Sequence, residues 1–291
     1  MMDLIKLGER TYCIISPVNV GIYKINNNDV CLIDTGNSKD FGKIIEKVLI
    51  DNNWNLKCII NTHSHADHIG GNKYLQSKYG CDIFANLKES YFINETLLEP
   101  AMLYSGNPPK DMLNHFLKAD ESTCSGIDKM NIEGLKIINL EGHSVGQIGV
   151  VTSDNVCFCG DAYTSEKIIK KYAIQYVYDI EKYLDSLRFL KETNYKYYVP
   201  SHGEIEENCK NTIDANINNI QNLENEIYEI LRHNNTYSKL LTVIFERHHI
   251  KLNIIQYHLL SATIKSFLTK LEKEGKIKFE FNNNDFEINS I

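Results

Sequence analysis

Between His63 and His68 the chain places three histidines and one aspartate, and side chains of these types at this density are metal donors. His63 and His65 stand two apart, so at the end of a strand they point to one side, and a turn brings Asp67 and His68 toward them. Imidazole with carboxylate suits Zn²⁺ strongly and also Fe²⁺ or Mn²⁺, whereas Mg²⁺ favours fewer nitrogens. One catalytic ion takes three protein donors and keeps a position open, so four donors in one turn point to two ions.

Three later turns carry further donors: His143 in EGHSVGQIG, Asp161 in CFCGDA and His202 in YYVPSHGE. If His63, His65 and His143 hold one ion and Asp67, His68 and His202 the other, Asp161 is free to bridge them, with a hydroxide between ions about 3.5 Å apart. Such a centre needs no serine or cysteine nucleophile. Asp34 reads either as a polar support accepting a bond from a ligand histidine or as a helix cap. His115, His233, His248, His249 and His258 fall outside the pattern, and Cys157 with Cys159 makes no complete ligand set.

The elements that must position these residues follow from periodicity. TYCIISP, GIYKIN and DVCLIDTG predict a strand meander, and FGKIIEKVLIDNNW, apolar at positions 41, 44, 45, 48 and 49, predicts a helix. Residues 56–61 predict the strand that delivers the histidine turn at its C-terminal end, where α/β sheets place their chemistry. NKYLQSKYG predicts a helix ending at Gly80, and CDIFAN a strand. Residues 87–120 predict two short helices around a turn at Gly106, Asn107, Pro108 and Pro109, which either pack on the body or cover the site.

LKIINLEG, QIGVVTS and NVCFCGD predict further strands, and DIEKYLDSLRFLKE a helix burying Ile180, Leu184, Leu187 and Leu190. A long helix follows from KNTIDANINNIQNLENEIYEILRHNN. Beyond a boundary near residue 235, SKLLTVIFER, LNIIQYHLL and SATIKSFLTKLEKEG predict three helices, the last capped by Ser261, and KIKFEF with DFEI a hairpin. That is the order of a winged helix. Residues 236–281 hold eight lysines or arginines against four acidic residues, which fits nucleic-acid contact. Packing, dimerisation or placement of a helix beside the site are the competing roles.

With 291 residues, 43% of them hydrophobic, the chain can bury one substantial core plus a smaller appendage. Its formal charge of -7 argues against indiscriminate coating of nucleic acid. No basic leader precedes an apolar run and no apolar window is long enough to span a bilayer, so a cytoplasmic protein is expected. Eight cysteines in a chain this long predict reduced, buried thiols rather than a disulfide scaffold.

Residues 8–205 resemble the metallo-β-lactamase-like hydrolase superfamily: THSHADHIGG is close to its HxHxDH signature, and CLIDTG, GHSVGQIG and CFCGD are similar to its other segments. The resemblance implies an α/β fold, a four-layer αβ/βα sandwich of two mixed sheets with helices outside. It places His63, His65 and His143 at a first metal site, Asp67, His68 and His202 at a second, and Asp161 between them. Class B1 zinc β-lactamases carry a cysteine where Asp161 stands, and flavin-linked diiron reductases a glutamate where His65 stands, so neither activity is expected. The ligand set is similar to that of hydroxyacylglutathione hydrolases and lactamase-β-2-like proteins. The latter also resemble this chain in their C-terminal winged-helix-like region, and some of them cut single-stranded RNA.

The expected organisation is a catalytic domain at 1–208 with a substrate-shaping insertion at 87–120, a connecting helix at 209–235 and a winged-helix-like domain at 236–291. The expected activity is hydrolysis of a small ester, thioester or lactone by two Zn²⁺ and a bridging hydroxide, with Asp67 and His68 in catalytic roles. Single-stranded RNA cleavage and a non-catalytic, metal-stabilised interaction protein are the alternatives. A membrane partner is not expected, and a homodimer is compatible with the sequence.

Overall fold

In the computed structural model, which describes residues 3–291, a short β1 (Leu4–Lys6) precedes the predicted meander of β2 (Thr11–Ile14), β3 (Val20–Lys24) and β4 (Asp29–Ile33). β1 was not expected, because LIK is short and largely solvent-facing. Met1 and Met2, the start of the stretch read for a leader, lie outside the described residues. The Ser38 hydroxyl accepts from Phe41 N and starts α1 (Lys39–Asp51), whose buried face is Phe41, Ile45 and Leu49. β5 (Asn55–Ile60), α2 (Ala66–Ile69), α3 (Asn72–Tyr79) and β6 (Asp82–Ala85) follow.

The insertion departs from expectation. Both of its helices, α4 (Leu87–Asn94) and α5 (Leu98–Tyr104), precede the Gly106 to Pro109 turn, and only a 3-10 turn, Lys110–Met112, comes after it. Ser105 takes a left-handed conformation (φ 61) that ends α5, and the two prolines that follow cannot continue it. The unanticipated short strand β7 (Cys124–Gly126) completes a seven-stranded sheet in the order β1 to β7.

The second sheet is built from β8 (Leu135–Asn139), β9 (Ile148–Thr152) and β10 (Val156–Gly160), then α6 (Glu166–Lys171), α7 (Ile180–Glu192) and β11 (Tyr197–Pro200), in the strand order β11-β10-β9-β8. The period of two sorts the side chains into layers. Cys31, Ile33, Val150, Val156 and Phe158 fill the space between the sheets. Val30 and Leu32 face α1 and α3, whereas Cys157 and Cys159 face the helices on the opposite side. The result is the expected sandwich of helix, sheet, sheet and helix. All eight cysteines are buried and unpaired.

α8 (Lys210–Leu231), α9 (Tyr237–Arg247) and α10 (Ile254–Lys273) precede the hairpin of β12 (Ile277–Asn282) and β13 (Asp285–Ser290). LNIIQYHLL and SATIKSF therefore form one helix, not two, and Ser261 is not a cap. The cap is Asn253, whose side chain accepts from Gln256 N. Ser261 is buried on the same face as Ile264, Leu268 and Leu271, in phase with the apolar stripe, and no glycine or proline interrupts the helix. Phe267, Leu268 and Leu271 share one apolar cluster with Leu184 and Leu187 of α7 and Ile220 and Leu223 of α8. No helix among the described residues is long and apolar enough to cross a membrane.

The glycine pair after the histidine turn has a steric cause. A Cβ on Gly70 would stand 2.3 Å from the backbone of Asn37 and Ser38, and one on Gly71 would stand 2.6 Å from the Thr35 carbonyl oxygen. The loop after β4 thus lies directly against the turn after β5. Gly70→Ala is expected to destabilise the chain by about 1–3 kcal/mol, as overpacking does. An unchanged thermal midpoint would remove this explanation of the pair.

Candidate metal centre

The donors meet where the two sheets join at their ends. Ile148 N at the start of β9 donates to Thr62 O just past β5 at 2.9 Å, which binds the histidine turn to the second sheet. His63, His65, Asp67 and His68 come from that turn and α2, His143 from the loop between β8 and β9, Asp161 from the end of β10, and His202 from the end of β11. All seven expected residues converge.

Their nearest atoms form three overlapping groups: His63, His65 and His143; His63, His68 and Asp161; and Asp67, His68 and His202. His65 Nδ1 lies 2.9 Å from both His63 Nε2 and His143 Nε2, so three ring nitrogens share one point. His202 Nε2 lies 3.2 Å from Asp67 Oδ2 and 3.4 Å from Asp161 Oδ2. Asp161 Oδ2 is also 3.4 Å from His143 Nε2, while its Oδ1 is 3.5 Å from His68 Nε2. Asp161 therefore touches both outer groups.

The rings of His68 and His202 are oriented from behind. Asp34, held at φ 63, accepts from Thr62 N (2.8 Å), Thr62 Oγ1 (2.7 Å) and the His68 Nδ1 side (2.9 Å). It is a support, since Ser38 caps α1. His202 Nδ1 faces the Pro17 carbonyl oxygen at 2.9 Å, which directs Nε2 into the site.

Electrostatics separates the histidines into two kinds. Burial holds His63 well below the usual imidazole range, and it brings His65 down to about 4 and His143 to about 3, so all three offer lone pairs at neutral pH. His202 is pushed up to about 10, chiefly by Asp161. Burial opposes charge on His68, but Asp161, Asp67 and Asp34 outweigh it and lift the ring well above its ordinary value. Burial would likewise raise Asp67 and Asp161, yet the neighbouring histidines hold both carboxylates low. A cation fits this balance: His68 Nε2 and Asp161 Oδ1 are buried, face each other and have no hydrogen-bond partner. Nitrogen and carboxylate donors left unpaired in this way match the ligand chemistry of a transition-metal dication.

Sequence reasoning missed two carboxylates. Glu89 in α4 is fully buried and accepts from Ser64 N and Oγ (2.9 and 2.5 Å), Ser144 Oγ (2.6 Å) and Gly146 N (2.6 Å). Glu99 in α5 is buried, its Oε1 3.6 Å from His65 Nε2, and burial followed by Asp67 and Glu89 raises its carboxyl well above the usual range. Asn86 with Glu89 has the spacing of a capping box, a reading that hides the role. Asn86 does cap α4, but the Glu89 side chain turns away to the two histidine loops.

Two cavities, of about 1320 and 720 Å³, open on the donors. The larger reaches Asp67 and His202 past Val18, Phe116, Leu117 and Leu259. The smaller reaches His143, Asp161 and His202 past Ile168, Tyr172, Tyr176, Ile250 and Leu260. The start of α10 packs on the insertion beside these cavities, with Ile254, Ile255 and Leu259 against Leu103, Met112 and Leu117.

Residues 14–202 match the family model described as the metallo-beta-lactamase superfamily, and the chain belongs to that superfamily. A hydroxyacylglutathione hydrolase of Pelagibacter ubique is 46% identical over 56 residues, 19% of this chain and 22% of that protein. Hydroxyacylglutathione hydrolase GloC of Haemophilus influenzae is 29% identical over 138 residues, 47% of this chain and 62% of that protein. The matches thus span less than two thirds of either relative. The crystal structure of a metallo-beta-lactamase family protein from Thermus thermophilus superposes with a TM-score of 0.73 at 16% identity, covering 98% of this chain and all of that one. The shared fold therefore includes the C-terminal helices. Family membership and the three donor groups together support a metal-dependent hydrolase.

Proposed function

We propose that the chain is a binuclear metal-dependent hydrolase of small esters, thioesters or lactones. The observation that carries this is the convergence of seven His and Asp donors, four of which, Asp67, His143, Asp161 and His202, line two cavities walled by aliphatic and aromatic side chains. His63, His65 and His143 would hold one ion, Asp67, His68 and His202 the other, and Asp161 both; Zn²⁺ suits the donors best, with Fe²⁺ or Mn²⁺ able to replace it. When bound, the ions supply a hydroxide at neutral pH and polarise the substrate oxygen.

The chain's own residues do the rest. Asp67, a third exposed where the other carboxylate is mostly covered, faces the larger cavity and is placed to orient the nucleophile and return a proton to the leaving group. Val18, Phe116, Leu117 and Leu259 receive an apolar acyl arm and exclude water from it. The insertion at 87–120 and the start of α10 thereby shape the substrate.

The region 236–291 reads as a winged-helix-like unit in which α8, within 209–235, supplies the first of three helices. Thr236 pairs with Glu287 of β13, tying the start of α9 to the hairpin. Five of its eight basic residues are held in ion pairs, which does not favour a nucleic-acid role. Arg247 pairs with Glu226, Lys270 and Lys276 with Glu224, Lys273 with Glu181, and Lys278 with Glu280. Charge matched in this way attracts a phosphate backbone weakly.

One preparation loaded with Zn²⁺ and offered acyl thioesters, lactones and single-stranded RNA tests the reading. Acyl turnover lost in Asp67→Asn and His68→Ala is expected. RNA cleavage without acyl turnover, lost in the same variants, would replace the substrate class with the alternative.

A further inference from the structure

The two carboxylates contributed by the insertion have no place in the hydrolytic step, yet both are aimed at the first donor group. Glu89 receives four hydrogen bonds on two oxygens, which saturates a carboxylate as an acceptor, and their lengths of 2.5 to 2.9 Å are those of bonds to a charged group. The donors come from two separate loops. Ser64 lies between His63 and His65, while Ser144 and Gly146 lie just past His143. Glu99 stands on the far side of the His65 ring, facing Nε2 while Nδ1 faces His63 and His143.

We propose that Glu89 is the positioning residue that assembles the His63, His65 and His143 group, by fixing the turn after β5 to the loop between β8 and β9. This rests on reading those histidines as metal ligands. The insertion is then part of the metal centre and not only a wall of the substrate cavity. Glu89 has no counterpart contact with the other group: the Pro17 carbonyl orients His202, and Asp34 orients His68 while also reaching His63 Nδ1 through Thr62 Oγ1. Because Glu89 bonds only to the loops that carry the first group, that group can be weakened without the other.

Glu89→Gln tests this with little change of shape. The amide replaces one acceptor oxygen by an NH₂ group, and each oxygen of Glu89 serves one hydroxyl and one backbone N–H. A serine hydroxyl can rotate and accept from the NH₂, but a backbone N–H cannot, so Ser64 N or Gly146 N loses its acceptor.

The measurement is Zn²⁺ affinity of the metal-stripped full chain in two backgrounds, His202→Ala to isolate the first group and His143→Ala to isolate the second. Glu89→Gln is expected to weaken binding by about 10- to 100-fold in the first background and to leave the second within about 3-fold, the range for losing a partner that orients a ligand. Asp34→Asn, which loosens His68 directly and His63 through Thr62, is expected to weaken binding in both backgrounds, and Glu89→Asp, which keeps both acceptor oxygens, to recover part of the loss. If Glu89→Gln fails to fold, Glu89→Asp carries the same comparison at smaller amplitude. Equal weakening in both backgrounds with a lowered melting temperature of the stripped chain would mean that Glu89 only stabilises the fold, and overturns the proposal. Unchanged affinity in a chain that binds two ions overturns this inference alone, whereas a parent chain that binds none overturns the metal-dependent reading with it.

Discussion

Asp161→Ala is expected to strip both ions together and to abolish hydrolysis. Asp161 is the one carboxylate whose two oxygens reach both outer donor groups, at 3.4 Å from His143 and His202 and 3.5 Å from His68. Its removal takes from His68 and His202 the carboxylate that does most to favour positive charge on their side of the site. Two ions brought close together repel, and a shared carboxylate offsets that repulsion. Acyl turnover should fall by more than the roughly 10- to 100-fold that follows loss of a supporting partner. Metal analysis of the purified variant checks the claim: fewer than one ion per chain is expected, and two ions retained would end the bridging assignment.

Phe267→Ala is expected to cost about 3–5 kcal/mol, the range for emptying a large aromatic site in a packed core. Phe267 is fully buried where α10 meets α7 and α8, within a cluster that continues to Cys157 and Cys159 of the second sheet. The C-terminal helices are therefore seated on the catalytic sandwich through one shared apolar layer. A fall in melting temperature on the order of 10 °C for the whole chain should follow. If only a C-terminal transition shifted while the sandwich melted as before, that shared layer would not couple the two parts.

The same layer explains what could be read in advance. The strands other than β1, β7 and β11, and the helices α1, α3, α7 and α8, were legible because each carries an apolar period matched to one buried face. The donor set was legible because four members crowd into six residues just past β5 and the other three sit in polar turns that follow strands. β1 and β7 are three-residue strands with too little pattern to register, and the break placed at Ser261 took a small buried hydroxyl for a boundary. Glu89 and Glu99 were invisible for a deeper reason. A glutamate near a helix start reads as a surface charge, and only the fold brings Ser64, Ser144 and Gly146 around it. Asp34 lay between these cases: the residue was identified, but its two readings separated only when Ser38 proved to be the cap.

The most direct test of the two-metal account is acyl hydrolysis followed as the metal-stripped chain is titrated with Zn²⁺. Activity that rises to a plateau at two equivalents, and fails to reach it in Asp67→Asn or His202→Ala, is the predicted result. A plateau at one equivalent, or turnover indifferent to added metal, would contradict it.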